Sequence, residues 1–452
     1  MSSGFVRSQM LEARPAPASE RGIAHWLKKN LFASVPDTIM TLITLYALYL
    51  VLPSIFDFAF TSAQWSGEGR EACATENQGG VRSNDWFGAC WPYVGANMKL
   101  FIYGRYPFEE LWRVNIVFVT FAIGVASLLI PSVPYKREIL VFMLGIFPVA
   151  SFILLTGGHI ELGSFFLASF AGMEGFFAYW VDLILTTIVF CGIGLVLARG
   201  TESDPWPNIR NVLIVMGLIA IVSMVIAAPM PFEHVETDVW GGLLVTLVIA
   251  VVGIVASLPI GILLALGRRS DMPVVKLLCV IFIEFWRGVP LITVLFMSSV
   301  MLPLFLPQGV EFDKLLRVLI GVALFSAAYM AEVVRGGIQA LPKGQYEGAM
   351  ALGLSYWQMM QKIILPQALK LVIPGIVNTF IGLFKDTTLV LVIGLFDFLG
   401  QIQSSYSDPT WATPVQAMTG YLFAATVYWF FCFGMSRYSI YMERKLDTGH
   451  RS

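Results

Sequence analysis

The sequence predicts an all-α polytopic membrane protein with about ten transmembrane helices, and three observations support this. The chain of 452 residues is 57% hydrophobic and only 13% charged, whereas soluble domains carry about 25% charged residues. Its mean hydropathy is +0.74. The apolar residues form separate runs of about 20, the length that crosses a bilayer core as a helix. Because these runs lack the alternation of barrel strands, helices are the form that satisfies the backbone inside lipid.

The apolar runs and the basic residues between them predict the topology. We expect spans at residues 37–59, 112–131, 138–156, 178–198, 210–230, 240–266, 275–303, 314–335, 369–393 and 416–437. Most of the 29 Lys and Arg residues then fall in the N-terminal tail and in alternate loops. The positive-inside rule therefore predicts that both termini are cytosolic. Pro259, Pro290 and Pro374 lie within predicted spans and are expected to kink them.

Composition divides the chain into three predicted regions. Residues 1–36 are polar and basic and read as a disordered cytosolic tail, with an amphipathic surface segment at 23–32 as the alternative. Residues 37–230 form an accessory transmembrane region with few charges in its spans and a periplasmic loop at 60–111. Residues 231–452 carry charged side chains at membrane depth and form the functional core.

Two cysteines fall together in the long outer loop. If that loop faces an oxidising periplasm, Cys73 and Cys90 are a candidate disulfide, and two free thiols are the alternative. The chain holds only four His residues, none of them paired at ligand spacing, so no metal site is expected. Its net charge of −1 offers no basic face for nucleic acid.

The stretch EGAMALGLSYWQMMQKIILP at 347–366 is too polar to cross a bilayer and lies between two predicted spans. Its apolar residues recur at helical spacing, which predicts an amphipathic surface helix at about 342–364. Glu347 is expected at the start of the helix, where a carboxylate is stabilised. Pro366 is expected to end it before the next span. From the residues alone, a helix lying on lipid is an alternative.

The order of residues in this stretch resembles the cytoplasmic EAA loop of type I ABC importer permeases, with the pattern E-A-A-x3-G-x9-I-x-L-P. The chain departs from that pattern at one position, where Gly348 replaces the first Ala. The resemblance implies that this loop is a coupling helix seated in a cytosolic ATPase. The residues expected at that contact are Glu347, Gly348, Ala349, Gly353, Leu354, Tyr356 and Trp357.

Four further stretches resemble the polar amino acid permeases across about residues 240–445. They are TLVIAVVGIVASLPIGILLALGRRS, IEFWRGVPLITVLF, YMAEVVRGGIQALPKGQYEGAMALGLS and LPQALKLVIPGIVNTFIGLFKDTTL. This part corresponds to that family's five-helix core. The additional N-terminal spans and the cysteine-containing loop resemble the enlarged M-type permease subunit of general L-amino acid importers in Gram-negative bacteria.

The resemblance implies a transport subunit, not an enzyme, in the bacterial inner membrane. It would form the path for L-amino acids and couple that path to a separate ATPase dimer, which binds ATP and Mg²⁺. The chain itself has no phosphate-binding loop of the form G-x4-G-K-[ST] and no cofactor motif. The implied partners are a homologous permease subunit, a periplasmic amino acid binding protein and the bilayer. The resemblance favours a different but related permease, in a heterodimer, and a second copy of this chain is the alternative.

Charged residues inside the core spans are candidates for substrate binding, because a charge at membrane depth is costly unless it has a role. Glu284 and Arg287 lie three residues apart on the seventh span, and Lys385, Asp386 and Thr387 adjoin in the ninth. A pocket with both signs suits the carboxylate and ammonium of an amino acid. Mutual pairing that only fixes helix packing is the alternative.

A secondary amino acid transporter driven by a proton or sodium gradient is the competing function. Glu284 or Asp386 would then be the coupling carboxylate. Inverted repeats would favour it, but the two halves look unlike each other, and the segment 347–366 would have no role. The chain also lacks H-E-x-x-H and G-x-S-x-G motifs, which disfavours a membrane enzyme.

Overall fold

The computed structural model describes residues 22–158, 162–163, 168, 171–173, 175–200, 205–228, 231–305 and 313–446. Most of the expected tail, residues 1–21, lies outside the described residues. The described helices are α1 Ile23–Asn30, α2 Val35–Phe56, α3 Trp91–Ala96, α4 Met98–Tyr103, α5 Leu111–Leu129, α6 Lys136–Thr156, α7 Gly175–Gly200, α8 Trp206–Ala227, α9 Gly242–Arg268, α10 Pro273–Gly288, α11 Leu291–Phe305, α12 Lys314–Ala340, α13 Lys343–Ala351, α14 (Tyr356–Met359, a π turn at Met360–Ile364, then Leu365–Leu371), α15 Ile373–Asp386, α16 Phe398–Ser404 and α17 Gln416–Leu446. α2 continues into a π turn at Asp57–Thr61, and α15 into a 3₁₀ helix at Thr387–Ile393.

The long helices confirm the predicted fold class. Within the described part of the chain, nine helices are long and apolar enough to cross a membrane, and the pair α10 and α11 adds a tenth when counted as one span. Most of their bounds agree with the predicted runs to within five residues, but α17 continues nine residues past the predicted end at 437. α1 coincides with the surface segment that the sequence offers at 23–32, and its Ile23 is 79% exposed.

Side-chain caps explain where several of these helices begin. Ser34 precedes α2, and its hydroxyl accepts a hydrogen bond from the backbone N–H of Asp37 at 3.2 Å. Asp313 precedes α12, and its carboxylate accepts one from Leu316 N–H at 3.0 Å. Each cap satisfies a donor that the first helical turn leaves without an internal partner.

The seventh predicted span is not one helix, which corrects the expected run 275–303. α10 and α11 meet at 103°. Val289 and Pro290 are both extended, with ψ of 132° and 142°. A proline ring disfavours the helical conformation of the residue before it and removes one backbone donor. Pro290 therefore starts a new helix, and the kink expected there becomes a complete break.

The chain divides into two compact units. The first contains residues up to Pro92 and the short segment Thr413–Thr419. In it, a disulfide joins Cys73 and Cys90, whose Cα atoms are 5.8 Å apart and which are both buried. The backbone N–H of Cys90 donates to the Thr419 hydroxyl at 3.0 Å. The bridge and this hydrogen bond tie residues 73–90 to the start of α17.

The second unit contains Tyr93–Ala412 and Gly420–Ser452. Its centre is the pair α9 and α12, which pack along each other. They approach closely at Gly261, where an added Cβ would lie 2.7 Å from Met330 Cβ and 3.0 Å from the Ala331 backbone nitrogen. Only a residue without a side chain allows this backbone approach, as is usual between membrane helices.

Two buried apolar clusters stabilise the second unit. One includes Val245, Ile249, Leu295 and Val318. The other lies where α9, α10 and α12 meet α13 and α14. Its buried members are Ala265, Leu266, Ile283, Met330, Ala331, Val334, Ile338, Ala349, Met359, Met360, Ile364 and Ala368. The polar stretch between two spans is thus packed onto the membrane helices.

Candidate coupling segment and charged cluster

The stretch that resembles the EAA loop forms two helices, which corrects the single helix expected at about 342–364. We call residues 343–371 the coupling segment. Its first helix, α13, begins at Lys343 after the extended Pro342. Glu347 therefore lies one turn inside the helix and not at its start, and its side chain is exposed.

Gly353 ends α13 by a defined backbone motif. Its φ is +70°, a left-handed conformation that glycine adopts without strain. The Gly353 N–H donates to Met350 O at 2.9 Å, and the Leu354 N–H donates to Ala349 O at 3.3 Å. These two bonds are those of a Schellman cap, which satisfies the last helical carbonyls. Gly353 is therefore a helix stop with open space beside it.

Ser355 starts α14 two residues later. Its hydroxyl accepts from Gln358 N–H at 3.4 Å, and the Gln358 side chain accepts from Ser355 N–H at 3.1 Å. This reciprocal pair is a capping box, whose S-x-x-Q signature was present in the sequence. The helical conformation then runs through Pro366 to Leu371, so the expectation that Pro366 ends the element was wrong. A π turn directly before the proline accommodates its missing donor.

The coupling segment has an inner and an outer face. Ala349, Met359 and Ile364 are buried in the second apolar cluster, and Leu354 packs against it. The outer face carries large apolar side chains: Met350 is 59% exposed, Leu352 76%, Tyr356 44% and Trp357 56%. We call these four residues the outer apolar patch. Glu347 and Gly348 are exposed beside the patch.

A charged cluster lies next to the coupling segment, formed by Arg268, Glu284, Arg287, Glu332 and Arg335. Arg268 Nη1 lies 2.8 Å from Glu284 Oε1 and 2.9 Å from Glu332 Oε1. Arg335 Nη2 lies 2.6 Å from the second oxygen of Glu332. Arg287 Nη1 lies 3.9 Å from that oxygen, and its guanidinium stands 5.8 Å from the ring centre of Tyr329. Within the described chain, Glu284 and Arg287 thus pair with other residues and not with each other.

The remaining candidate substrate residues lie elsewhere, at the end of α15. Lys385 is exposed and Asp386 is half-buried, and among the described residues neither forms an ion pair within 4 Å. Thr387 is buried and donates to the carbonyl of Phe384 at 2.9 Å. In the described structure, no hydrogen bond or ion pair joins this group to the charged cluster.

Sequence reasoning missed a buried carboxylate on the connection between α15 and α16. Asp397 is fully buried and accepts hydrogen bonds from Gly400 N–H and the Tyr428 hydroxyl, both at 2.9 Å, and from Leu399 N–H at 3.3 Å. Burial raises the pKa of Asp397, and these hydrogen bonds partly oppose the shift. An Asp directly before a helix is the only signal in the sequence, and it indicates a cap without revealing burial.

Arg268 and Arg269 were also missed, because the sequence marks them only as basic residues beside a span. Arg269 Nη1 donates to the Tyr346 hydroxyl at 3.3 Å, and its guanidinium lies 5.7 Å from the centre of that ring. Tyr346 belongs to α13, so the end of α9 contacts the coupling segment directly. Positive-inside reasoning explains where such residues occur but not which side chains they meet.

Comparison with known proteins extends the likeness beyond the motif. Residues 257–448 match the family described as "Binding-protein-dependent transport system inner membrane component". The inner membrane amino-acid ABC transporter permease protein YhdY of Escherichia coli K12 is 42% identical over 436 residues, 96% of this chain and 96% of that protein. The glutamate/glutamine/aspartate/asparagine transport system permease protein BztC of Rhodobacter capsulatus is 42% identical over 456 positions, 99% of each chain. A solved amino acid ABC transporter with histidines aligns with 45% of this chain and 92% of its own, at 30% identity and a TM-score of 0.40.

The two full-length relatives match both halves of the sequence, so the likeness is not confined to the core that contains the EAA-like loop. The expected fold class and the expected function as a transport subunit without its own ATPase are confirmed by these matches. The chain therefore belongs to the binding-protein-dependent transport system inner membrane components, as a multi-pass permease of an amino-acid ABC importer in the inner membrane.

Proposed function

We propose that this permease imports L-amino acids of the acidic class and their amides. The observation that carries the proposal is the identity of 42% over 99% of both chains to BztC, a glutamate/glutamine/aspartate/asparagine transport system permease protein. An acidic substrate brings two carboxylates and one ammonium, so it needs at least one accessible cation. Arg287 and Lys385 are the candidates.

Arg287 is the cation of the charged cluster with the weakest pairing. Its side chain is 37% exposed, and its nearest carboxylate oxygen is 3.9 Å away, beyond the 2.7–2.9 Å of a full charge-assisted hydrogen bond. A guanidinium with free donors can hold a carboxylate bidentately. Glu284, 54% exposed and bound only to Arg268 among the described residues, would receive the ammonium. Lys385, Asp386 and Thr387 would form a second contact along the path.

The coupling segment is the proposed contact with a cytosolic ATPase dimer, which carries ATP and Mg²⁺. The outer apolar patch supports this, because its four large side chains are exposed on a segment whose inner face is packed onto the membrane helices. A rigidly seated segment can pass a movement of the ATPase into the bundle. Glu347 would supply a polar contact, and Gly348 and Gly353, which have open space beside them, would permit close approach. Ala349, which the resemblance also places at this contact, is buried on the inner face.

The proposed topology has both termini and the coupling segment in the cytosol. The distribution of basic residues supports this, as does the even number of crossings when α10 and α11 count as one span. Residues 37–230 then form the accessory region and 231–452 the core, a boundary supported by the family match at 257–448. A homologous permease completes the pathway as a heterodimer, and a periplasmic binding protein delivers substrate at the outer face.

Reconstitution in liposomes tests the proposal. The chain is co-expressed with its partner permease and ATPase, and uptake of labelled glutamate, glutamine, aspartate and asparagine is measured with and without binding protein and ATP. We expect uptake that requires both. Arg287→Gln should abolish it while the complex still assembles, and Arg137→Gln, a basic residue on α6 outside the charged cluster, is the control. Uptake driven by an ion gradient without ATP would refute the proposal and favour a secondary transporter.

A further inference from the structure

Two adjacent arginines at the end of α9 connect the coupling segment to the membrane helices. Arg269 contacts α13 through the hydroxyl and the ring of Tyr346, at 3.3 and 5.7 Å. Arg268 donates to Glu332 on α12 at 2.9 Å and to Glu284 on α10 at 2.8 Å. These contacts link α13 to α10 and α12 through two neighbouring residues.

Glu332 is the centre of the arrangement. Its side chain is 16% exposed, and its two oxygens face the guanidiniums of Arg268, Arg287 and Arg335. Arg335 is fixed to it from the same helix at 2.6 Å. Arg268 and Arg287 approach it from two different helices, at 2.9 and 3.9 Å. The cluster holds three cations and two carboxylates, so one guanidinium is always less than fully paired.

This geometry defines two arrangements of one carboxylate. In the observed arrangement Glu332 is bound to Arg268, and Arg287 stands apart. If α10 moves by about 1 Å, Arg287 reaches the 2.7–2.9 Å of a full ion pair on the Glu332 oxygen that Arg335 already holds. Arg268 stays on the other oxygen. Ion pairs of fixed geometry distinguish the two positions.

We propose that Arg268, Arg269 and Glu332 are positioning residues that transmit movement of the coupling segment to α10, the half-span before the 103° bend. This inference rests on the proposed contact between the coupling segment and the ATPase. Engagement or release of Arg287 by Glu332 is the two-state element through which ATP hydrolysis biases the substrate path.

The test measures amino acid uptake and ATP hydrolysis together in the reconstituted complex with binding protein. Glu332→Gln and Arg268→Gln should each lower the amino acid moved per ATP by at least about fivefold, the lower end of typical coupling between sites. The double variant should be no worse than the worse single one, because both act on one network. Arg268→Lys, which keeps the charge but not the forked geometry, should restore coupling in part.

Lys276→Gln is the matched control, since Lys276 is an exposed cation on α10 with no ion pair among the described residues. If Glu332→Gln prevents assembly of the complex, Tyr346→Phe is tested instead, because it deletes the hydroxyl to which Arg269 donates. A wild-type amount of amino acid moved per ATP in Tyr346→Phe would then refute the inference. Additive effects in the double variant, or unchanged ratios with lowered thermal stability, would show a merely structural network and overturn it. A wild-type complex without ATP-dependent uptake would overturn the proposed function and this inference with it.

Discussion

Trp357 offers the sharpest test of the coupling segment. It lies in the first turn of α14, is 56% exposed, and stands edge-on to Tyr356 with ring centres 5.5 Å apart. Replacing it by Ala removes apolar area from the outer face and leaves the inner contacts of Met359 and Ile364 in place. We therefore expect weaker ATPase binding with little loss of permease stability.

The magnitude follows from the exposed area. A large aromatic side chain offers up to about 250 Å², so an exposure of 56% leaves roughly 140 Å² for a partner to cover. At about 25 cal/mol per Å², this is at most about 3.5 kcal/mol. Ordering of side chains on association reduces it. The expected loss is about 2–3 kcal/mol, or about 30- to 140-fold in affinity.

The assay is a titration of the detergent-solubilised permease complex with the ATPase subunit, read as a dissociation constant. Trp206→Ala is the control, because Trp206 is 59% exposed but lies on α8, outside the coupling segment. An affinity within about twofold of wild type for Trp357→Ala would refute the reasoning. It would favour the alternative in which the patch lies against lipid.

Four further predictions concern a disulfide, a buried carboxylate and a glycine. Cys90→Ser opens the bridge to Cys73, and closing a loop of about 15 residues stabilises by roughly 3 kcal/mol. Protease should therefore cleave the loop at residues 60–111 faster, while ATPase affinity is unchanged. Equal cleavage rates would contradict this. Asp397→Ala should lower the free energy of unfolding by about 2–4 kcal/mol, because it removes a helix cap and leaves buried hydrogen-bond donors without an acceptor. A thermal midpoint within a degree or so of wild type would count against it. Burial raises the pKa of Asp397 in the folded protein. Between the unfolded and the folded pKa, the folded state therefore keeps a proton that the unfolded chain has lost, and the free energy of unfolding should fall as pH rises through this window. Asp397→Asn should flatten that dependence on pH. Gly353→Val should destabilise α13 by about 1–2 kcal/mol, because position 353 has a positive φ that valine adopts only with strain, and Gly353→Asn should destabilise it less. Equal effects of the two substitutions in thermal unfolding would show that φ is not the cause.

Local signals in the sequence were enough for much of the fold. Apolar length alone located the spans, because lipid admits only segments that satisfy their own backbone. The E-G-A-x3-G pattern located the coupling segment. The division into two helices was also readable, since Gly353 and the S-x-x-Q box beginning at Ser355 are local stop and start signals. The prediction failed there because helical periodicity was given more weight than these caps.

Other features could not be read from order along the chain. Pro290 predicted a kink, but the angle of 103° between α10 and α11 depends on what these helices pack against. The spacing of Glu284 and Arg287 suggested a pair, yet the structure gives each a partner more than 15 residues away. Competition among neighbours in space decides which ion pair forms, because charges on three helices meet at one end of the bundle.

The sequence by itself determined the membrane fold, the position of the coupling segment and the family, because length, hydropathy and short motifs are properties of consecutive residues. Only the tertiary structure decided which face of that segment remains exposed and that Glu332 gathers three guanidiniums. These depend on how close α9, α10 and α12 lie, and that distance is set by small residues such as Gly261 and by the packing of the whole bundle.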